Sequence, residues 1–208
     1  MPISNLHFPL TLLLAFLAGS LPFSVWVGRL ALRTDIREYG DHNPGATNVL
    51  RAGGWWWGGL AMLLDCLKAA IPVGLVHFGL GWQGWPLALA AIASVAGHAF
   101  SPFLGWRGGK AVAATFGAWV GLTVWEGPTV LGLLLGLSFT LIATSGWAMI
   151  LAFLGLLVYF LVLPASFNPL GLRPPLVPTL LVAWIGHFLI LVWKHRAELA
   201  QWPVLRNW

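Results

Sequence analysis

Residues 54–77 read GWWWGGLAMLLDCLKAAIPVGLVH. Apart from Asp65, Lys68 and His77 the run is apolar, and it is long enough to cross a bilayer as one helix. About 18 apolar residues suffice for that, because lipid offers backbone amides no partner and forces them to bond within the segment. Asp65 and Lys68 stand one helical turn apart and are placed to neutralise each other. Counted at 1.5 Å per residue from position 54, they lie roughly 16 Å into the membrane. Intramembrane charges are functional candidates by default, but the spacing favours a structural pair that ties helices together over a proton relay. Trp55, Trp56 and Trp57 suit an interfacial belt, where indole places an apolar body in lipid and its N–H in water. The same preference accounts for the fourteen tryptophans of the chain better than ligand stacking does.

Outward from this run the pattern repeats. The chain has 208 residues, 59% hydrophobic and 8% charged, against roughly 25% charged in a soluble domain. A soluble core of this length could not hide so much apolar surface. Seven spans are expected, at 8–28, 54–77, 85–104, 111–125, 129–143, 147–164 and 177–193. The fourth and fifth are short, so a hairpin at Glu126-Gly127-Pro128 that leaves five full spans is an alternative. The fold class is thus an all-α polytopic membrane protein, with residues 1–208 forming a single domain and no internal repeat. The N-terminus lacks the basic region of a removable leader. Cys66, the only cysteine, lies in an apolar segment and forms no disulfide within the chain.

The net charge of +5 does not imply nucleic acid here, because the basic residues sit in short loops. With seven spans, Arg29, Arg33, Arg37, Arg51, Arg107, Lys110, Lys194, Arg196 and Arg206 share one side, and Arg173 falls on the other. The positive-inside rule then puts the N-terminus outside and the C-terminus in the cytoplasm.

Two loops on the basic side carry the chemistry. The first runs from Asp35 through Asp41-His42-Asn43-Pro44-Gly45-Ala46-Thr47-Asn48 to Arg51. Asn43 suits a helix N-cap and Pro44 the first helical position, which would aim the amides of Gly45 and Ala46 at an anion. Arg51 could add a bidentate guanidinium. The second loop runs from Gly97-His98 to Gly108-Gly109-Lys110. Paired glycines let a ligand approach the backbone, and the lysine sits at a helix start. Phosphate is the natural partner of both. Lys110 is followed by Ala111 and lacks the upstream glycine of the phosphate loop, which argues against nucleotide hydrolysis. His77 and His187 read as interfacial or core residues; His98 lies beside the second loop.

These residues, taken in order, resemble the bacterial membrane acyl-phosphate:glycerol-3-phosphate acyltransferases. Gly19-Ser20-Leu21-Pro22-Phe23 with Gly28-Arg29 is similar to the family's first helix. Asp35 to Arg51 resembles its first signature and Leu64-Asp65-Cys66-Leu67-Lys68 its second helix. Gly97-His98 to Gly108-Gly109-Lys110 resembles the second signature and Lys194-His195-Arg196 the last. The resemblance implies transfer of a fatty acyl group from acyl phosphate to the 1-hydroxyl of glycerol 3-phosphate. The products are lysophosphatidic acid and phosphate, in phospholipid biosynthesis, without cofactor or metal. It implies a bacterial inner-membrane protein in contact with lipid, with its site on the cytoplasmic face. Lys110, Arg51 and His195 are then the catalytic candidates, His195 or a substrate phosphate accepting the hydroxyl proton. Asp41, Asn43, Gly45, Thr47, Asn48, Gly108, Gly109, Ser145 and Glu198 are the substrate-binding candidates.

The chain departs from the family pattern at several places. Gly40-Asp41-His42-Asn43 stands where Gly-Ser-Gly-Asn is usual, Ala111 where glycine follows the lysine, and Ala114 where threonine is expected, with Thr115 adjacent. Ser145-Gly146 replaces a serine pair, and Glu198 replaces an asparagine. Added carboxylates and lost hydroxyls point to a divergent member. The alternatives are an inactive paralogue binding a related phosphorylated ligand, or a small transporter with Asp65 and Lys68 as its coupling site. Against the transporter stands the lack of matching repeat halves.

Overall fold

The computed structural model describes residues 6–163 and 173–206. Residue 164, the predicted end of the sixth span, lies outside them, as do both ends of the 1–208 domain.

Seven helical spans follow in the predicted order among the described residues. Five are long and apolar enough to cross a membrane: His7–Ala31, Ala46–Gly79, Gly84–Leu104, Ser145–Val162 and Pro178–Leu199. Val112–Thr123 and Glu126–Leu141 are shorter, as their sequences imply. Within these spans we number α1 His7–Ser20, α2 Phe23–Ala31, α3 Ala46–Gly74, α4 Gly84–Ala99, α5 Val112–Thr123, α6 Glu126–Leu141, α7 Ser145–Val162 and α8 Leu181–Leu199.

Four boundaries differ from expectation. The turn expected at Glu126-Gly127-Pro128 falls at Val124-Trp125, and those three residues open α6. The first span is broken at Leu21-Pro22, because proline lacks an amide hydrogen and its ring clashes with the preceding turn. The second helix begins at Ala46 and bends at Gly54 (φ 77°), so a short helix precedes the membrane run. The last helix continues past residue 193 to Leu199, so Lys194, His195, Arg196 and Glu198 ride on α8 rather than in a tail.

The break in the first span frees carbonyl groups where lipid cannot satisfy them. Lys68 Nζ donates to Leu21 O at 2.6 Å and Ser101 Oγ to Ser20 O at 2.6 Å. Asp65 in turn accepts from Ser24 Oγ and lies 2.7 Å from Lys68 Nζ. The pair therefore joins the α1–α2 break to α3, the structural role its spacing favoured. Elsewhere small residues bring helices close. A Cβ on Gly97 of α4 would stand 2.1 Å from Phe16 O of α1, so only glycine fits that crossing.

At the centre, Trp119 stacks on Phe160 with centroids 5.4 Å apart, and Phe153 on Trp184 at the same separation. Leu13, Leu63, Ile71, Leu133 and Leu189 are exposed on the outer faces, as lipid-facing residues are. The segment after α8 folds back on the α6–α7 turn: Ala143 N donates to Val204 O at 2.8 Å, Arg206 N to Leu141 O at 2.9 Å, and Trp147 Nε1 to Gln201 O at 2.8 Å.

Lys68→Met would leave the Asp65 carboxylate buried and unpaired, a change that costs about 3–5 kcal/mol. Thermal unfolding in detergent should show that loss, and adding Asp65→Asn should restore part of it.

Candidate active site

The first loop is folded by its own charges. Asp35 accepts from the backbone N and from Nε and Nη2 of Arg37 at 3.0, 2.9 and 2.6 Å, which shapes the single turn Ile36–Glu38. These bonds hold its carboxyl well below the usual carboxylate range. Ile36 is fully buried against Val25, Val49 and Ala61 and anchors the loop to α2 and α3.

Asn48 is the hub of this loop. Its Nδ2 donates to Asn43 O at 2.8 Å and Asp41 Oδ1 at 3.0 Å, and its Oδ1 accepts from Arg51 Nη1 at 2.9 Å. A Cβ on Gly40 (φ 57°) would fall 1.8 Å from Arg51 Nη1, so the guanidinium packs where only glycine leaves room. The N-cap of α3 is Gly45, not Asn43, and Pro44 precedes the helix. Asn43 instead spends its carbonyl on Asn48 and on the amide of Gly45, at 2.9 Å. The Gly45 amide therefore turns inward. Thr47 is exposed and joins none of these bonds.

The second loop is tied to α4 and α8. Gly109 N donates to His98 O at 3.1 Å, so this amide also points inward. Lys194 Nζ donates to Ala99 O at 3.0 Å and to Gly108 O at 2.8 Å. Ala111 opens α5 with φ 66°, a left-handed conformation costing an L-residue about 1–2 kcal/mol. That turn aims Lys110 at the first loop.

Lys110 is the meeting point. Its ammonium lies 2.7 Å from Asp41 Oδ2 on one side and donates to Glu198 Oε1 on the other. Arg51 Nη1 is 4.0 Å from Asp41 Oδ1, so Arg51 and Lys110 face the same carboxylate. Glu198 Oε2 accepts from Ser145 Oγ at 2.6 Å and from the amide of Gly146 at the start of α7. Burial opposes charge on both Asp41 and Lys110, yet their hydrogen bond prevails. It holds the Asp41 carboxyl below its ordinary value, and with Glu198 it holds the Lys110 ammonium above its own. His195 is buried one turn before Glu198, with Nδ1 2.9 Å from Leu191 O. Facing a carbonyl, Nδ1 must carry the proton, which leaves Nε2 as the acceptor of the neutral ring.

An open cavity of about 380 Å³ adjoins this cluster. Asp41, Asn43, Gly108 and Lys110 line it, together with Arg107, Lys194, Arg196, Trp106 and Trp193, which the sequence reading had not placed among the site residues. Their signal was adjacency: Trp106-Arg107 precedes the paired glycines, and Lys194 and Arg196 flank His195.

The sequence model of a family described as glycerol-3-phosphate acyltransferase matches residues 9–202. The chain belongs to this family. A glycerol-3-phosphate acyltransferase of Thermotoga maritima is 35% identical over 199 residues, covering 90% of this chain and 93% of the relative. Another, from Desulfovibrio desulfuricans, is 35% identical over 90% of this chain and 78% of its own length. The crystal structure of PlsY (YgiH), described as an integral membrane glycerol 3-phosphate acyltransferase in its glycerol 3-phosphate form, has a TM-score of 0.76. It is 28% identical and covers 93% of this chain and 90% of that one. Its lysophosphatidic acid form gives 0.75.

The shifts at Lys110 set a pH range. A depressed Asp41 contributes stability above its ordinary 3.8 and loses it as pH falls through the lower, folded value. A raised Lys110 contributes fully below its ordinary 10.5 and loses it only as pH rises through the higher one. Thermal unfolding in detergent should thus be level from about pH 5 to 9 as far as this contact governs it, and weaken below about pH 4. Asp41→Asn should shrink that acid limb; an unchanged limb would show that the contact adds nothing.

Proposed function

We propose that the chain transfers a fatty acyl group from acyl phosphate to the 1-hydroxyl of glycerol 3-phosphate, releasing inorganic phosphate. Membership of the family carries the acylation of glycerol 3-phosphate in phospholipid synthesis; the acyl-phosphate donor and the residue roles are our reading. The observation that carries it is the convergence of two segments distant in sequence on the ammonium of Lys110, the first loop through Asp41 and α8 through Glu198, whose carboxylate is itself held by Ser145 of α7.

In this reading residues 1–208 act as one integral membrane domain, and the family match over residues 9–202 supports that. Lys110 and Arg51 hold phosphoryl oxygens, Arg107 and Arg196 offer further cations around the cavity, Asn43 and Ser145 offer hydrogen bonds, and Asn48, whose amide is fully engaged, positions Asp41 and Arg51. Gly45 and Gly109 serve by shaping their loops, since their amides are already bonded. The acceptor oxygen attacks the donor's carbonyl carbon, the bond from that carbon to the phosphate oxygen breaks, and phosphate departs with its electron pair. The hydroxyl proton passes to His195 Nε2 or to the leaving phosphate. Holding both reactants in attack geometry supplies much of the acceleration, and cations on the leaving phosphate stabilise charge as it develops.

Transfer of radiolabelled glycerol 3-phosphate onto acyl phosphate in detergent tests the reading. Wild type should form lysophosphatidic acid, and Lys110→Ala should lower kcat/KM on the order of 10²- to 10³-fold. No transfer by the wild type would end it. The excess of basic residues on this side supports a cytoplasmic site in the inner membrane of a bacterium, with the N-terminus outside. In a Cys66→Ser background, Thr47→Cys should escape a membrane-impermeant thiol reagent in intact cells and react after lysis; labelling of intact cells would reverse the orientation.

A further inference from the structure

The carboxylate of Glu198 is held as a bound ligand would be. Oε2 accepts the Ser145 hydroxyl at 2.6 Å and the Gly146 amide, while Oε1 accepts Lys110 Nζ. Gly146 lies in the first turn of α7, an 18-residue helix, where free amides and the helix dipole favour an anion. A hydroxyl, a helix-start amide and an ammonium converging on one anion form the donor set a phosphate monoester takes. The seat is reached from solvent as well, since the Glu198 side chain is 23% exposed.

Charge sharpens the point. On its other side Lys110 meets Asp41, so one ammonium faces two carboxylates. Arg51 is the nearest further cation to Asp41, at 4.0 Å. A phosphoryl group brought to Lys110 while both carboxylates stay in place would meet like charge at contact distance. Asp41 is fixed by Asn48 and by the amide of Asn43. Glu198 stands in the last turn of α8, and rotation of its side chain alone removes it from the seat.

We propose that Glu198 is a specificity-determining residue: its carboxylate occupies a phosphate seat made by Ser145, the Gly146 amide and Lys110, and a phosphoryl group enters by displacing it. The proposal rests on the acyl-transfer reading above. A tethered carboxylate competes at high effective concentration. The seat therefore opens to a phosphomonoester, whose greater charge engages the three donors more strongly, and stays shut to a neutral polyol.

Inorganic phosphate is the probe, used as a competitor of glycerol 3-phosphate in the transfer assay and as a stabiliser in thermal unfolding of the full chain. Glu198→Gln keeps the shape and removes the charge, and should lower the phosphate inhibition constant on the order of tenfold. Glu198→Ala empties the seat and should act in the same direction. Ser145→Ala added to Glu198→Gln should withdraw most of the gain. A merely structural contact would lower the unfolding temperature of both variants without tightening phosphate, and that result would overturn the proposal, as would unchanged or weaker phosphate binding. The wild type in the same assay separates the two claims: no transfer removes the proposed reaction, whereas transfer with an unaltered inhibition constant removes only the role of Glu198.

Discussion

A helix interrupted inside lipid must find partners for the carbonyls it frees, and the rest of this molecule is arranged around that requirement. Pro22 interrupts the first span, and Lys68 and Ser101 reach the carbonyls of Leu21 and Ser20. Lys68 can lie there only because Asp65 neutralises it, and Asp65 is itself held by Ser24. The break lets α2 turn along α3 and carry the first loop, while Ser101 fixes the start of the second loop against α1. One interruption therefore sets the positions of both loops that build the site.

The site follows a different economy of charge from a simple basic pocket. Several of its cations and amides are already engaged by the protein: Lys194 holds backbone carbonyls, the Gly45 and Gly109 amides close their own turns, and Lys110 is shared by two carboxylates. The cations of the site are thus held in place by internal anions, a preorganisation that the proposed transfer would draw on.

Much of the fold was legible in the sequence because lipid imposes a coarse rule, and the seven apolar runs are all helical, the first as two helices. Local breaks were less legible. Pro22 and Gly54 sit in strongly apolar surroundings, where hydropathy averages over an interruption that backbone sterics impose. The end of α8 was misplaced for the converse reason: Lys194, His195 and Arg196 are polar, so they ended the apolar run although the helix continued. Within the site, the facing of Lys110 and Arg51 followed from ordered signatures. The inward turn of the Gly45 and Gly109 amides did not, since the first depends on a local turn onto the Asn43 carbonyl and the second on the His98 carbonyl brought near by the packing of the loop on α4. Ala111 is a case between the two. The family pattern carries glycine there, and the positive φ of 66° gives the physical reason, which this chain meets with an alanine.

The strap that runs from Gln201 to Arg206 links matters that look separate. It bonds the end of α6 and Trp147 of α7, and so steadies the very turn whose Ser145 and Gly146 grip Glu198. The stretch leaving α8 is thereby wired to the mouth of α7 in a closed circuit, α8 to strap to turn and back through Glu198. A group grafted onto the strap would pull on that circuit and, through it, on the grip of Ser145 and Gly146 on Glu198.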